Sequence, residues 1–321
     1  MQRIPLPAFP NGWFGLSYAD EVPTGTVKAI HALGRDLVAF RGEDGRVHVL
    51  DAYCAHLGAH LGHGGTVVGN GIRCPFHGWC YDGASGRCVD IPYAKKVPPK
   101  AVLRTWPVLE QNDLVYVYHH VDGAAPDWEP DVIPEIAQPE YYRHSTREWI
   151  IRSHPQEVME NGVDYAHFMT LHRWETVAMR WTPNGVRYTL EIDVDTDAER
   201  QAATAAQATT VNSYNSGPGF LFTRVTGPMR GIAMNMLTPL DPERLRVQHA
   251  YYAHRDVPAE IAKAFFDAYE ADWHLDFPIW DNKIHRLRPV LTEGERDVGR
   301  FRRWYRQFYT QEQIAAAGGE P

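Results

Sequence analysis

Residues 53–79 read YCAHLGAHLGHGGTVVGNGIRCPFHGW, and this stretch decides the first half of the chain. It holds Cys54-x-His56 and, seventeen residues further on, Cys74-x-x-His77. One thiol and one imidazole at each of two separated turns make a metal site of mixed sulfur and nitrogen donors. Two occupants suit such a set: a tetrahedral zinc ion, or a two-iron, two-sulfide cluster with one iron held by two histidines and the other by two cysteines. Gly58, Gly62, Gly64, Gly65 and Gly78 give the turns the freedom to bring backbone amides close to sulfur. The chain has four cysteines, and Cys54, Cys74, Cys80 and Cys88 all fall within this region and just beyond it. In a reducing compartment such clustering means metal binding sooner than a disulfide framework. Cys80 and Cys88 read as buried structural thiols, and His60 and His63 as loop histidines.

The surrounding chain fits a soluble two-domain protein. It has 321 residues, 44% of them hydrophobic and 22% charged. A net charge of −8 argues against nucleic acid or an anionic membrane as partner and leaves a small molecule as the expected ligand. The opening MQRIPLPAFPNGW has one basic residue, three prolines and no continuous apolar run, so no secretory leader is expected. No stretch has the 18 or so apolar residues that span a bilayer, and a cytoplasmic location is expected. Short β-rich runs (VKAIHAL, DLVAF, GRVHVL, NDLVYVYHH) predict a small antiparallel domain up to about Val121. The proline-rich, acidic DGAAPDWEPDVIPEIAQP (residues 122–139) predicts a linker, giving domains 1–135 and 136–321. After it come strand-like REWIIRSH, a helix from Pro155 to about Leu171, alternating runs over residues 185–254, and a second helix from near Pro258. The fold class expected is α+β.

CPFHGW resembles the second cluster loop of Rieske proteins, which selects the two-iron cluster, held by Cys54, His56, Cys74 and His77. Respiratory Rieske subunits carry two more cysteines at the positions of Ala59 and Phe76, so the resemblance is to the oxygenase and ferredoxin branch. Residues 27–62 (VKAIHALGRDLVAFRGEDGRVHVLDAYCAHLGAHLG), IPYAKKVPPKA, PDWE and RRWYRQFY near the end are similar to the oxygenase component of 3-ketosteroid 9α-hydroxylases and to sterol 7-desaturases. That resemblance implies a second domain of helix-grip fold, an antiparallel sheet around a long helix, with an apolar cavity. It implies a terminal oxygenase, a monooxygenase fed by a ferredoxin or flavin-dependent reductase with electrons from NAD(P)H. The implied substrate is hydrophobic, polycyclic and steroid-like, the alternative being an aromatic or alkaloid-type one. No Gly-rich nucleotide fingerprint occurs, so a separate protein is expected to oxidise NAD(P)H.

Within EVMENGVDYAHFMTLH, Asp164-x-x-His167-x4-His172 resembles the mononuclear iron motif of the same family. Two histidines and one carboxylate on one face of an iron leave positions open for dioxygen. On a regular helix, however, side chains five apart diverge by about 140°. A π-type turn or a helix end is therefore expected between His167 and His172. For the third ligand, Phe265, Tyr269 and Trp273 form an apolar stripe that carries both Asp272 and Asp276. Helical phase does not choose between them; Asp281 points elsewhere. LDFPIWDNK resembles the Asp-x-x-Ile-Trp stretch of the hydroxylases, and that resemblance selects Asp276. It also implies that Asp164 bridges the His77 of a neighbouring subunit and His167, in a ring-shaped homotrimer, with Glu160 and Asn161 near that network. Phe168, Trp174, Met179, Trp181, Phe220, Phe222, Met234 and Met236 are candidates for the cavity wall, about half of them expected to touch substrate.

Overall fold

The computed structural model describes residues 3–173, 176–194 and 210–318, apart from the side chains of residues 176–178 and 192–194. It divides into two compact units, Trp13–Asp127 and Met1–Gly12 together with Trp128–Pro321. Compactness thus places the boundary at Asp127/Trp128, eight residues before the expected one, and gives the first twelve residues to the second unit. The reason is hydrogen bonding. The Arg3 guanidinium donates to the carbonyls of Trp280 (3.0 Å), Lys283 (3.2 Å) and Arg152 (2.5 Å), and the Asn11 backbone amide donates to the Phe308 carbonyl (2.7 Å).

The first unit is β-rich. Strands β1 (Gly12–Tyr18), β9 (Val108–Gln111) and β10 (Leu114–His119) form one small sheet, and β2 (Val27–Ala32), β3 (Arg35–Arg41) and β4 (Val47–Asp51) a second. The third is β5 (Thr66–Val68), β6 (Gly71–Arg73), β7 (Cys80–Asp82) and β8 (Cys88–Asp90) in sequential antiparallel order. Val38, Phe40, Leu50, Ile72 and Tyr81 fill its core together with Cys54, Cys74 and Cys88. Asn112 and Asp113, expected to start a strand, are instead a turn: they take φ of 56° and 59° and join β9 to β10 as a two-residue hairpin.

The second unit is one seven-stranded antiparallel sheet of β11 (Tyr141–Ile151), β12 (Thr176–Asn184), β13 (Arg187–Val194), β14 (Thr210–Ser216), β15 (Phe220–Thr226), β16 (Gly231–Pro239) and β17 (Leu245–His254), in the order 11-17-16-15-14-13-12. Helices α1 (Pro155–Asn161) and α2 (Tyr165–Thr170) follow β11, and the 24-residue α3 (Ala259–Asn282) follows β17. Two short helices, α4 (Arg296–Tyr305) and α5 (Gln311–Ala316), come last. Helix α3 lies along the sheet because aromatic residues recur at helical spacing. Phe266 stacks on Tyr251 (4.7 Å between rings), Trp273 sits 4.4 Å from His249, and Phe277 5.5 Å from Trp149. Each such burial contributes about 2–3 kcal/mol. The mixed α+β class and the sheet-and-long-helix architecture are as expected. The single helix expected over residues 155–171 is two, because the chain leaves helical geometry at Gly162–Asp164 and restarts with Asp164 as N-cap.

His154 caps α1. Its Nδ1 accepts the Gln156 N–H (3.1 Å) and its Nε2 lies 3.1 Å from the Pro7 carbonyl, a pattern met by the neutral ring alone. Burial holds its pKa down at about 4. The unfolded ring titrates near 6.5. Between those values the unfolded chain binds the extra proton, so stability falls as pH falls, by about 1.4 kcal/mol per pH unit. In His154→Asn, which keeps an acceptor at the cap without the titration, the denaturant midpoint of this unit is expected to drop less between pH 7 and pH 5 than in the parent. Parallel drops would remove His154 as the source.

Candidate metal centres and substrate cavity

In the first unit the two cluster loops are built alike. Cys54 N–H donates to the Ala59 carbonyl (2.9 Å) and Gly58 N–H to the Cys54 carbonyl (2.9 Å); Cys74 N–H donates to the Trp79 carbonyl (2.8 Å) and Gly78 N–H to the Cys74 carbonyl (3.1 Å). Each turn closes through a glycine in left-handed conformation, Gly58 at φ 74° and Gly78 at φ 73°. The result is two knuckles facing one another. The imidazoles of His56 and His77 are 4.6 Å apart, and His56 stacks flat on Trp79. Cys54 Sγ lies 3.1 Å from the Tyr81 hydroxyl, which also accepts the Ala55 N–H. Burial raises the Cys74 thiol pKa against the backbone amides of Phe76 and His77, and the nearby Cys54 raises it further. His56 Nδ1 is buried with no hydrogen-bond partner. Two buried cysteines on facing knuckles, next to a partnerless imidazole nitrogen, fit a bound metal cluster. Cys80 and Cys88 are also buried and unbridged, with thiols raised by burial. They lie on β7 and β8, outside the two knuckles. His60 and His63 pack on each other (4.5 Å), and His60 against Tyr53.

In the second unit, donor atoms of His167, His172 and Asp276 lie within 4.8 Å of one another. The expected irregularity is there: α2 ends at Thr170, the His172 N–H reaches back five residues to the His167 carbonyl (3.4 Å), and Arg173 takes φ 57°. The rings end 5.0 Å apart at 77°, instead of diverging. His167 Nδ1 bonds the Asp164 carbonyl, which leaves Nε2 with its lone pair outward. Burial lowers the His167 pKa, against that carbonyl and the carboxylates of Asp276 and Asp164.

The two aspartates that helical phase leaves equivalent are divided by His172. Asp276 Oδ2 lies 3.4 Å from its Nε2, and Asp272 Oδ1 lies 3.6 Å from its Nδ1. The Asp276 side chain is 10% exposed and that of Asp272 40%, so only the first is a carboxylate taken out of water. Burial opposes a charge on His172, yet the two carboxylates outweigh it and lift the pKa to about 9 in the ion-free chain. The site is thus an apolar wall with excess negative charge, which fits a cation. Asn161 donates to Asp276 Oδ1 (2.9 Å), and the Trp280 indole N–H approaches the Asn161 carbonyl oxygen (3.4 Å). Asn161 therefore fixes the Asp276 carboxylate and leaves Oδ2 to face the histidines. Glu160 does not join this group; it forms a two-pronged ion pair with Arg302 (2.5 and 2.8 Å). Asp281 accepts the Arg152 N–H (2.6 Å). Asp164 caps no backbone amide, and its Oδ1 is buried without a partner.

The three groups open on a cavity of about 280 Å³, lined chiefly by apolar residues of α1, α2, α3 and strands β13 to β15. Phe168 lines it as expected; Phe220, Phe222, Met234 and Met236 do not. Strand alternation is the reason. Leu221 and Thr223 of β15 face the cavity, and Asn235 of β16 bonds Tyr269 of α3, so the neighbouring even-numbered side chains are buried on the opposite face of the sheet. Trp181 and Met179 belong to a neighbouring recess, and Trp174 lies outside the described residues. Among the lining residues that sequence reasoning missed, Ser213, Leu221 and Thr223 are odd-numbered residues of β14 and β15. Period-two alternation marks them once the face is known. A larger cavity of about 550 Å³ lies in the first unit, but Arg46, His48, Arg104 and Trp106 line it, with no metal-binding set.

Residues 12–107 match the Rieske [2Fe-2S] domain, and residues 117–309 match the 3-ketosteroid 9alpha-hydroxylase C-terminal domain. A cholesterol 7-desaturase of Hemicentrotus pulcherrimus is 32% identical over 95% of this chain and 71% of its own length. A probable 3-ketosteroid-9-alpha-monooxygenase oxygenase component of Rhodococcus rhodochrous is 33% identical over 95% of this chain and 81% of its own. Among solved structures, dicamba monooxygenase bound to dicamba has a TM-score of 0.73 at 18% identity, covering 96% of this chain and 98% of that one. NdmA of Pseudomonas putida CBB5 with caffeine has a TM-score of 0.74 at 19% identity, covering 96% and 92%. At these identities the structural likeness is one of fold.

The division of the aspartates is open to a direct test. Ferrous-ion binding to the second unit, measured by equilibrium dialysis on the whole chain, is expected to be abolished in Asp276→Ala. In Asp272→Asn and Asn161→Ala it is expected to weaken about 10–100-fold, since these groups orient ligands without touching the ion. Equal loss in Asp272→Asn and Asp276→Ala would overturn the division.

Proposed function

This chain belongs to the Rieske non-haem iron oxygenases, in the group with a 3-ketosteroid 9α-hydroxylase C-terminal domain, and from that membership we propose that it is the terminal monooxygenase component for a sterol or ketosteroid. The observation that carries the reading is the convergence of His167, His172 and Asp276 on the wall of an apolar cavity. In this reading Cys54, His56, Cys74 and His77 hold the cluster, and His167, His172 and Asp276 the mononuclear iron. When bound, the cluster supplies single electrons and the iron binds and activates dioxygen. The protein's own contribution is placement. The Asp164 carbonyl fixes the His167 tautomer, Asn161 fixes the Asp276 carboxylate, and the apolar wall keeps water from the substrate carbon that is oxidised. The four unbridged thiols suit a cytoplasmic protein. NAD(P)H is oxidised by a ferredoxin or flavin-dependent reductase, which would be the electron source for a cluster held by Cys54, His56, Cys74 and His77.

A homotrimer completes the proposal. The partnerless Asp164 Oδ1 supports it, because a buried carboxylate oxygen next to His167 needs a donor, and the His77 imidazole of a neighbouring copy is one.

Two experiments bear on this function. Protein reduced by a ferredoxin and reductase is incubated with oxygen and a panel of sterols and 3-ketosteroids, and products are identified by mass spectrometry. A hydroxylated or desaturated steroid is expected; coupled turnover of aromatic acids or alkaloids alone would move the substrate to that class. For the wiring, His77→Ala and His167→Ala chains, each inactive, are co-expressed. Transfer across the subunit boundary restores activity at about a quarter of the junctions of a randomly mixed ring. No recovery, with mixed trimers shown to form, would sink the crossed path.

A further inference from the structure

The cavity has a polar cluster that the iron site does not use. Opposite the apolar lining, Asn235 Nδ2 donates to the Tyr269 hydroxyl oxygen (2.9 Å), Tyr269 lies 3.3 Å from Thr223 Oγ1, and Thr223 Oγ1 lies 3.0 Å from Ser213 Oγ. Ser213, Thr223 and Tyr269 all line the cavity, and Thr223 is almost wholly buried.

Counting protons gives this chain a direction. An amide N–H only donates, so the Tyr269 oxygen accepts from Asn235. Its own proton then has one acceptor in reach, Thr223 Oγ1. With Tyr269 donating to Thr223 and Thr223 to Ser213 Oγ, the Ser213 proton is left without an acceptor among the described residues. A hydroxyl with an unused proton in the wall of an apolar cavity is a costly arrangement unless a ligand completes it. Behind the chain, Asn235 is fully buried, and its amide donates to Tyr269 and holds that hydroxyl in place.

We infer that Ser213, backed by Thr223, Tyr269 and Asn235, is the polar anchor of the substrate cavity: it donates one hydrogen bond to a neutral oxygen, a hydroxyl or ketone, at one end of an otherwise apolar polycyclic ligand. This rests on the sterol reading proposed above and adds to it the residue that orients the skeleton against the iron site. Charged ends are disfavoured. No lysine or arginine lines the cavity, and Asp272 and Asp276 would repel a carboxylate.

The test uses the holoprotein and two probes that differ in one oxygen, cholesterol and cholest-5-ene, with binding read by equilibrium dialysis. Wild-type protein is expected to bind cholesterol about tenfold more tightly, the worth of one neutral hydrogen bond in a buried site. Ser213→Ala is expected to erase that difference while leaving cholest-5-ene affinity unchanged. Thr223→Val, of the same shape, is expected to reduce it by releasing the Ser213 proton from its orientation. Unchanged melting temperatures and an unchanged cluster spectrum show that the variants fold. Equal wild-type affinity for both probes, or full discrimination retained in Ser213→Ala, overturns the anchor and leaves the sterol reading standing. Wild-type protein that binds neither probe overturns the sterol reading and the anchor's substrate class with it.

Discussion

A carboxylate removed from water on the apolar face of a helix is the constraint around which the second unit is organised. Asp276 sits on α3 among Trp273, Phe277 and Trp280, residues whose burial holds the helix to the sheet. Leaving its charge unpaired there would cost more than any one of those side chains returns. Three features answer it. The Asn161 amide at the end of α1 donates to one oxygen; α2 stops after Thr170 so that the His172 ring turns towards the other; His167 comes within reach of both. Two short helices where one long one would be more stable locally are the cost of that arrangement.

The first unit solves the same problem with loops. Buried Cys74 has its thiol raised by burial and by Cys54 nearby, while Phe76 and His77 aim backbone amides at the sulfur. Such amides favour the thiolate, so the knuckle is built for the charged form and requires a metal to complete it. Glycines at the fourth position after each cysteine are what allow the chain to turn back so tightly. At Gly78 a side chain would also meet Pro92, 2.9 Å from where a Cβ would stand.

Much of this is legible in the residues. The Cys-x-His and Cys-x-x-His pairs mark the first site, and the five-residue spacing between His167 and His172 by itself demands a break in helical geometry if both rings are to meet one ion. What spacing does not reveal is depth. Asp272 and Asp276 are one turn apart on one stripe, and only the approach of Asn161 and His172 decides which is covered. The same limit explains the cavity wall. Phe220, Phe222, Met234 and Met236 are the largest apolar residues of β15 and β16, so composition points to them, but the face they occupy is set by the register Leu221↔Asn235, which is a property of the paired strands. The domain boundary shifted for a related reason: Arg3 and Asn11 are bound by contacts to residues near the far end of the chain, and nothing local announces them.

The division of labour between the two aspartates follows from one ring. An imidazole has two nitrogens on opposite edges, and His172 offers Nε2 to Asp276 and Nδ1 to Asp272. A carboxylate near Nδ1 favours the tautomer with its proton there, and so keeps the Nε2 lone pair for a metal. Exposure favours Asp276 for the ligand role. The more solvated Asp272 gains little from replacing water by a metal ion, whereas the enclosed Asp276 has no water to lose and one oxygen already held by Asn161. The spacing of four residues on α3 therefore matters as much as either aspartate. It puts both carboxylates on the side of the helix that meets a single histidine, one at each edge of its ring.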